Sequence, residues 1–152
     1  MRRLIWLLVG LVFVVALGSG IGWLFAGDMV YVPRFAEQDP QTVVTAYFDA
    51  QSWGLDSYAH QIEAPAIAAM REAADPQSPV PDDLLFARNL TVGDAEQLSP
   101  SPGYSQTVRF LVSYTSRFEG ADGRSPGTRL WWAYLGLDDG GRWRIIGMTP
   151  AQ

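Results

Sequence analysis

Hydrophobic positions along the chain follow three successive patterns: a continuous apolar run, then helical spacing, then alternation. The run extends from Leu4 to Ala26 and contains no charged side chain. At about 1.5 Å of rise per residue, a helix of this length spans a hydrocarbon core of about 30 Å. Arg2 and Arg3 precede the run and an aspartate follows it, so the positive-inside rule predicts a cytoplasmic amino terminus. We therefore expect residues 1–27 to be a cytoplasmic tip and a single-pass anchor in the cell membrane.

A cleaved signal peptide is a second interpretation of this run, with "ALG" at residues 16–18 as a small-residue cleavage site. The apolar stretch continues beyond that site to Phe25, which exceeds the roughly 7–15 residues of a signal-peptide core. Its length favours the uncleaved anchor, and a mature protein that starts at Ser19 would overturn the anchor.

Small residues within the run predict a face on which a second membrane helix could pack. Gly18, Gly22 and Ala26 recur every four residues and therefore share one side of a helix. Glycine is also common in membrane helices that have no such role, so helix association is one of two interpretations.

Residues 28–38 contain both polar and apolar residues without a clear period and are assigned as a tether. Helical spacing begins after them, and the extracytoplasmic domain is assigned to residues 39–152. Asp39 before Pro40 is typical of a helix start, because the carboxylate caps free amides and proline suits the first turn. Apolar residues then follow at helical spacing, namely Val43, Val44, Tyr47, Phe48 and Ala50. "DSYAHQI" from Asp56 and "PAIAAMREAAD" from Pro65 predict two shorter helices.

Alternation replaces helical spacing from Leu84 onward. "LLFARNLTVGDAEQL" predicts a first strand with a bulge at Gly93. "YSQTVRFLVSYTSRF" predicts a second strand, with one face formed by Val108, Phe110, Val112 and Tyr114. "RLWWAYLGLDDGGRWRIIGM" predicts a hairpin of strands three and four. Helices followed by an antiparallel meander predict an α+β domain in which about three helices pack on one face of a four-stranded sheet.

The hairpin is apolar on both of its faces. A two- or four-residue turn in "LDDGG" would pair Leu137 with Arg142 and Leu135 with Arg144, whereas an odd loop would flip one strand. The even loop places Trp132, Tyr134, Trp143 and Ile145 on one face, and on the other Trp131, Ala133, Leu135, Ile146 and Met148 with both arginines. One face is expected to lie under the helices and the other to meet a partner. The candidate interface is therefore Trp131, Leu135, Arg142 and Arg144.

Composition excludes several classes of chemistry. All 11 basic residues are arginine, so no lysine is present for a Schiff base or a phosphate-binding loop. Cysteine is absent, which removes thiol nucleophiles, disulfides and thiolate metal sites. The formal net charge of −5 argues against nucleic acid as a partner. We assign no catalytic residue, no cofactor and no metal ligand.

Aromatic residues and the single histidine supply the remaining candidates. Tyr47, Tyr58, His60, Trp132 and Tyr134 form a candidate pocket for a partly apolar ligand, with core packing as the alternative role of the aromatic residues. His60 lies one helical turn from Asp56, and with Asp49 these residues are the candidate bases of an enzyme. A structural histidine is the interpretation that we favour.

Two segments carry a family resemblance: "PQTVVTAYFDAQSWGLDSYAHQI" and "WWAYLGLDDGGRWRIIGM". They resemble the opening helices and closing strands of the nuclear-transport-factor-2-like superfamily. The resemblance implies a sheet curled into a cone, and a role as a non-catalytic, membrane-anchored accessory or assembly subunit of a bacterial envelope complex. The alternatives are a small-molecule or lipid binding protein that uses the cone and, third, an isomerase-like or dehydratase-like enzyme.

Overall fold

Three helices precede four strands, and a computed structural model of the chain describes residues 39–73, 79–120 and 123–151. This arrangement confirms the predicted α+β class. The anchor, the tether and the helix face of Gly18, Gly22 and Ala26 lie outside the described residues, so these remain predictions. No helix within the described ranges is long and apolar enough to cross a membrane.

The helices are α1 (Pro40–Ser52), α2 (Asp56–Ile62) and α3 (Pro65–Glu72). The predicted start of α1 is confirmed, because the Asp39 carboxylate accepts a hydrogen bond from the Thr42 amide at 3.0 Å. A hydrogen bond from the Thr42 hydroxyl, together with the one from its amide, lowers the pKa of Asp39. Proline occupies the first turn of both α1 and α3, where an amide hydrogen is not needed.

The sheet has the strand order β1-β2-β3-β4, and every neighbouring pair is antiparallel. The strands are β1 (Arg88–Leu98), β2 (Gln106–Ser116), β3 (Gly127–Leu137) and β4 (Trp143–Pro150). The register of β1 against β2 shifts between Val92 and Ala95, which confirms the bulge predicted around Gly93. Strand β1 begins at Arg88 and not at Leu84, because Phe86 has a φ of 56° and interrupts an extended backbone.

One face of the sheet packs against the helices and forms the core. The predicted inner face of β2 is confirmed, and it meets buried residues of α1, namely Val43, Val44, Tyr47 and Phe48. Strands β3 and β4 add Ala133, Leu135, Trp143, Ile145 and Met148 to this core. Glu63 and Ile145 form a parallel bridge, and the Ala64 amide donates to the Ile145 carbonyl, so the link between α2 and α3 is tied to β4.

The β3–β4 loop corrects the predicted register of the hairpin. Leu137 pairs with Trp143, so the loop holds the five residues from Asp138 to Arg142. An odd loop turns β4 over relative to the even-loop prediction, and Trp143 and Ile145 therefore join Ala133 and Leu135 on the inner face. A bulge near Ile146 shifts the register once more and returns Met148 to that face.

Candidate functional site

The outer face of the sheet carries a contiguous apolar surface that none of the described helices covers. It comprises Leu111 on β2 and Leu130, Trp132 and Tyr134 on β3, and we call it the outer patch. Leu111 pairs with Trp132, and Ser113 pairs with Leu130, so these side chains are neighbours across the two strands. Leu130 is 44% exposed, and the other three side chains are half-buried. Both hairpin faces are apolar, as predicted, but the exposed one is the face of Trp132.

A charged side chain borders the outer patch. The guanidinium carbon of Arg109 lies 4.2 Å from the centre of the Trp132 ring, which is a cation–π geometry. Arg109 also donates to Glu96 at 2.8 Å from across the β1–β2 pair. Tyr134 brings its hydroxyl within 3.4 Å of the Thr149 hydroxyl on β4. Tryptophan, tyrosine and arginine are among the residue types enriched at protein interfaces.

The predicted interface residues do not lie on this patch. Leu135 is fully buried in the core, and Trp131 packs against the core from the same inner face. Arg142 and Arg144 both pair with Asp138 of the β3–β4 loop, at 3.6 and 3.1 Å. Although burial opposes it, the hydrogen bonds from these two arginines hold the pKa of Asp138 below its ordinary value. Arg144 also donates to the Gln61 carbonyl, so it links the loop to α2.

A buried carboxylate, which the sequence did not single out, joins the three helices. Glu63 follows α2, and its side chain is fully buried. Its Oε1 atom accepts hydrogen bonds from the Tyr47 hydroxyl at 2.7 Å and from Arg71 Nη1 at 2.6 Å. Arg71 on α3 also donates to Asp56 at 2.7 Å and to Gln51 at 3.3 Å. Residues of α1, α2 and α3 thus converge on one ion pair, which we call the Glu63 cluster.

His60 lies at the edge of the Glu63 cluster and not against Asp56. Its Nδ1 atom is 3.2 Å from Glu63 Oε2, within ion-pair distance, but the angles do not fit a hydrogen bond, so both atoms lack one. The side chain is 27% exposed, which leaves one side of the ring open to solvent. The alternative in which Asp56 orients His60 as a base is not what the structure has, because the Asp56 carboxylate pairs with Arg71.

The five residues of the predicted pocket are divided between the two faces of the sheet. Tyr47 is fully buried beneath α1, and Tyr58 packs against the same core. Trp132 and Tyr134 belong to the outer patch, so the sheet separates them from Tyr47 and from His60. The prediction of one shared pocket is therefore wrong. Among the described residues, no group of three or more histidine or carboxylate side chains could hold a metal ion.

A second buried carboxylate ties the sheet to the segment before β1. Asp83 accepts a hydrogen bond from the Tyr114 hydroxyl at 2.6 Å and forms an ion pair with Arg129 at 2.7 Å. Burial, together with the charge of Asp83, raises the pKa of Tyr114 above its ordinary value. Burial and the charge of Glu63 do the same for the pKa of Tyr47.

These two tyrosines predict a loss of stability in alkali. An unfolded tyrosine ionises near pH 10, whereas Tyr47 and Tyr114 ionise only at higher pH in the fold. Their contribution to stability is therefore complete below about pH 10 and is lost as the pH rises above it, at about 1.4 kcal/mol per pH unit for each tyrosine. We expect Tyr47→Phe to remove about half of this slope in denaturant unfolding measured between about pH 10 and pH 11. An unchanged slope would contradict this assignment.

A cleft opens where the end of α1 meets the segment before β1. Its volume is about 360 Å³, and it is lined by Phe48, Asp49, Ser52, Trp53, Leu84, Phe86, Ala87, Arg88, Asn89, Leu90, Tyr114 and Arg117. Asp49, one of the three candidate bases, lies here and not beside His60 or Asp56. Burial raises the pKa of Asp49 above its ordinary value. The hydrophobic pattern of the sequence does not predict this cleft.

The fold and these sites are the basis for comparison with other proteins. The described residues form three helices on an antiparallel meander, with two buried carboxylate clusters, the half-buried outer patch and the cleft at the end of α1. Comparison with models of known families, with curated proteins and with solved structures finds no match to this chain.

Proposed function

We propose that the chain is a membrane-anchored extracytoplasmic interaction domain that acts as an accessory or assembly subunit of a bacterial envelope complex. The single observation that carries the proposal is the outer patch. Large apolar side chains on an uncovered sheet face are unusual unless a partner covers them. The run from Leu4 to Ala26 supports an anchor, and an anchored domain meets partners that share its membrane.

The placement of the carboxylates and of the histidine supports a non-catalytic role. Glu63 is held by Arg71 and Tyr47, and Asp56 is held by Arg71, so these carboxylates contribute to helix packing. Asp49 lies in the cleft, away from the Glu63 cluster, and has no imidazole beside it. An isomerase-like reaction needs a base and an acid that face one substrate. The three candidate bases do not form such a site.

The proposed fold family is the nuclear-transport-factor-2-like superfamily, in which the sheet curls into a cone. The order of three helices and an antiparallel meander supports this assignment. The bulge in β1 and the shift near Ile146 in β4 also support it, because bulges bend strands and increase sheet curvature.

The alternative function is binding of a small molecule or lipid. The cleft at the end of α1 favours this alternative, because its volume falls within the roughly 300–1,000 Å³ of ligand pockets. It is compatible with the first proposal, since the cleft and the outer patch use different residues.

Charge substitution on the outer patch tests the interaction role. Leu130→Glu replaces a 44% exposed side chain of the patch, and Leu55→Glu makes the same change at a 39% exposed position in the turn between α1 and α2. We expect a membrane-protein partner to co-purify in constant ratio with the wild type and with Leu55→Glu, and its recovery to fall about tenfold or more with Leu130→Glu. Equal recovery with both variants would contradict a role for the patch.

A further inference from the structure

The cleft at the end of α1 has apolar walls and an aromatic mouth. Phe48, Leu84 and Tyr114 lie beneath it, where each is a buried residue of the core. Trp53 and Phe86 lie at the opening with 72% and 47% of their surfaces exposed. Phe86 also contacts Phe118, with ring centres 6.2 Å apart.

These exposed side chains are contiguous. The Phe86 amide donates to the Ser52 carbonyl at 2.7 Å, which holds the segment before β1 against the end of α1. Leu85 comes within 3.4 Å of where a side chain on Gly54 would begin. Single exposed apolar residues are ordinary, but a cluster around a cleft indicates a binding surface.

The backbone holds Phe86 in an unfavourable conformation. Its φ of 56° lies in the left-handed region, which glycine adopts readily and bulky residues rarely do. Glycine at this position would relieve the backbone, yet the chain has a large aromatic ring there. Strained residues of this kind cluster at ligand sites.

Two arginines give the cleft a positive charge. Arg88 and Arg117 both line it, and within the described part of the chain neither has an ion pair or a side-chain hydrogen bond. The other charged residue of the lining is Asp49, so the lining carries one net positive charge at neutral pH. Unpaired guanidinium groups next to aromatic rings suit a carboxylate or a phosphate attached to an apolar group.

We propose that this cleft binds a small organic anion in which an apolar body carries a carboxylate or phosphate group. The apolar body lies against the exposed rings of Trp53 and Phe86, and the anionic group faces Arg88 and Arg117. The anion is either free in solution or the head of a membrane lipid, and both sources share this chemistry. The site is independent of the outer patch, and its failure would leave the interaction role untouched.

The test uses the full chain in phosphatidylcholine nanodiscs, with 5-fluorotryptophan in place of tryptophan. The resonance of Trp53 is identified by its loss in Trp53→Phe, and the protein is titrated with octanoate. We expect a saturable shift of the Trp53 resonance and a constant Trp143 resonance, because Trp143 is buried in the core. In a separate arm without octanoate, the same shift on adding phosphatidylglycerol to the nanodiscs would identify a lipid head group as the source, and its absence would identify the free anion.

Three variants separate an effect on binding from an effect on folding. Replacing both Arg88 and Arg117 with glutamine should weaken octanoate binding about tenfold or more, whereas Arg142→Gln on the β3–β4 loop should leave it unchanged. Phe86→Gly should weaken binding while the melting temperature stays within a few degrees, because relief of the left-handed backbone offsets the lost ring contacts.

Three results would overturn the proposal. The first is the absence of a saturable Trp53 shift with both octanoate and phosphatidylglycerol. The second is an equal response to octan-1-ol, which would show that the charge has no role. The third is a Trp53 shift on adding an acidic aromatic peptide with none on adding octanoate, which would assign the cleft to a protein segment.

Discussion

Glu63→Ala should lower the free energy of unfolding by about 3–5 kcal/mol, the range measured when one member of a buried ion pair is removed. The Glu63 side chain is fully buried, and its partner Arg71 is only 15% exposed, so solvent would not replace the lost partner. The Tyr47 hydroxyl would lose its acceptor as well. Because the cluster joins all three helices, its loss should reduce the packing of the whole helical layer.

Thermal and denaturant unfolding of the full chain in zwitterionic detergent, followed by near-ultraviolet circular dichroism, measures this loss. Glu63→Gln is the matched control, because the amide oxygen still accepts from Tyr47 while the charge opposite Arg71 is gone. We expect its stability to fall between those of the wild type and the alanine variant. A loss below about 1 kcal/mol in Glu63→Ala, the value of an exposed pair, would show that the cluster is solvated.

Leu135→Arg should prevent folding or lower stability by more than about 4 kcal/mol, because it places an unpaired charge in the core. Leu130→Arg is the matched control on the same strand, where the leucine is exposed on the opposite face, and it should stay within about 1 kcal/mol of the wild type. The candidate interface of the sequence analysis predicts the reverse, because it places Leu135 on the free face of the hairpin. Near-ultraviolet circular dichroism and resistance to protease measure whether each variant folds, and a folded, protease-resistant Leu135→Arg variant would contradict the burial of Leu135 against the helices.

The hairpin shows how far periodicity alone can predict a sheet. Alternation in β3 predicted two apolar faces, and both exist. Which residues of β4 join each face depended on whether the loop after Leu137 held an even or an odd number of residues, and glycines in "DDGG" permit either. Asp138 fixes the length of the loop, because its carboxylate accepts a hydrogen bond from the Arg142 amide at 2.9 Å and its own amide donates to the Arg142 carbonyl. These contacts close a five-residue loop that sequence spacing does not encode.

The buried polar clusters were not predictable because their partners are distant in sequence. Tyr47 and Glu63 are 16 residues apart, and Asp83 and Arg129 are 46 apart. The only local signal is the position of each acid, since Glu63 lies between Ile62 and Ala64 and Asp83 precedes two leucines. A carboxylate within an apolar stretch indicates burial with a partner, but it does not identify that partner.

The cleft is not predictable from hydrophobic alternation, because the alternating pattern extends β1 back to Leu84. The apolar residues from Leu84 to Ala87 fit a strand in their pattern, and a left-handed φ at phenylalanine has no sequence signature. The turn that results places Leu84 in the core and Phe86 at the surface. The helices, the strand order and the bulge in β1 were predicted correctly, because they follow from local spacing and capping.

A site-specific crosslink tests the central claim, that the outer patch meets a membrane-protein partner. A photo-crosslinking amino acid would replace Trp132 of the patch in the full chain, and in a separate control it would replace Gln97, an exposed residue of edge strand β1. After illumination of intact cells, we expect Trp132 to give one discrete adduct with a membrane protein and Gln97 to give none. No adduct at Trp132, or the same adduct from both positions, would contradict an interface on this face of the sheet.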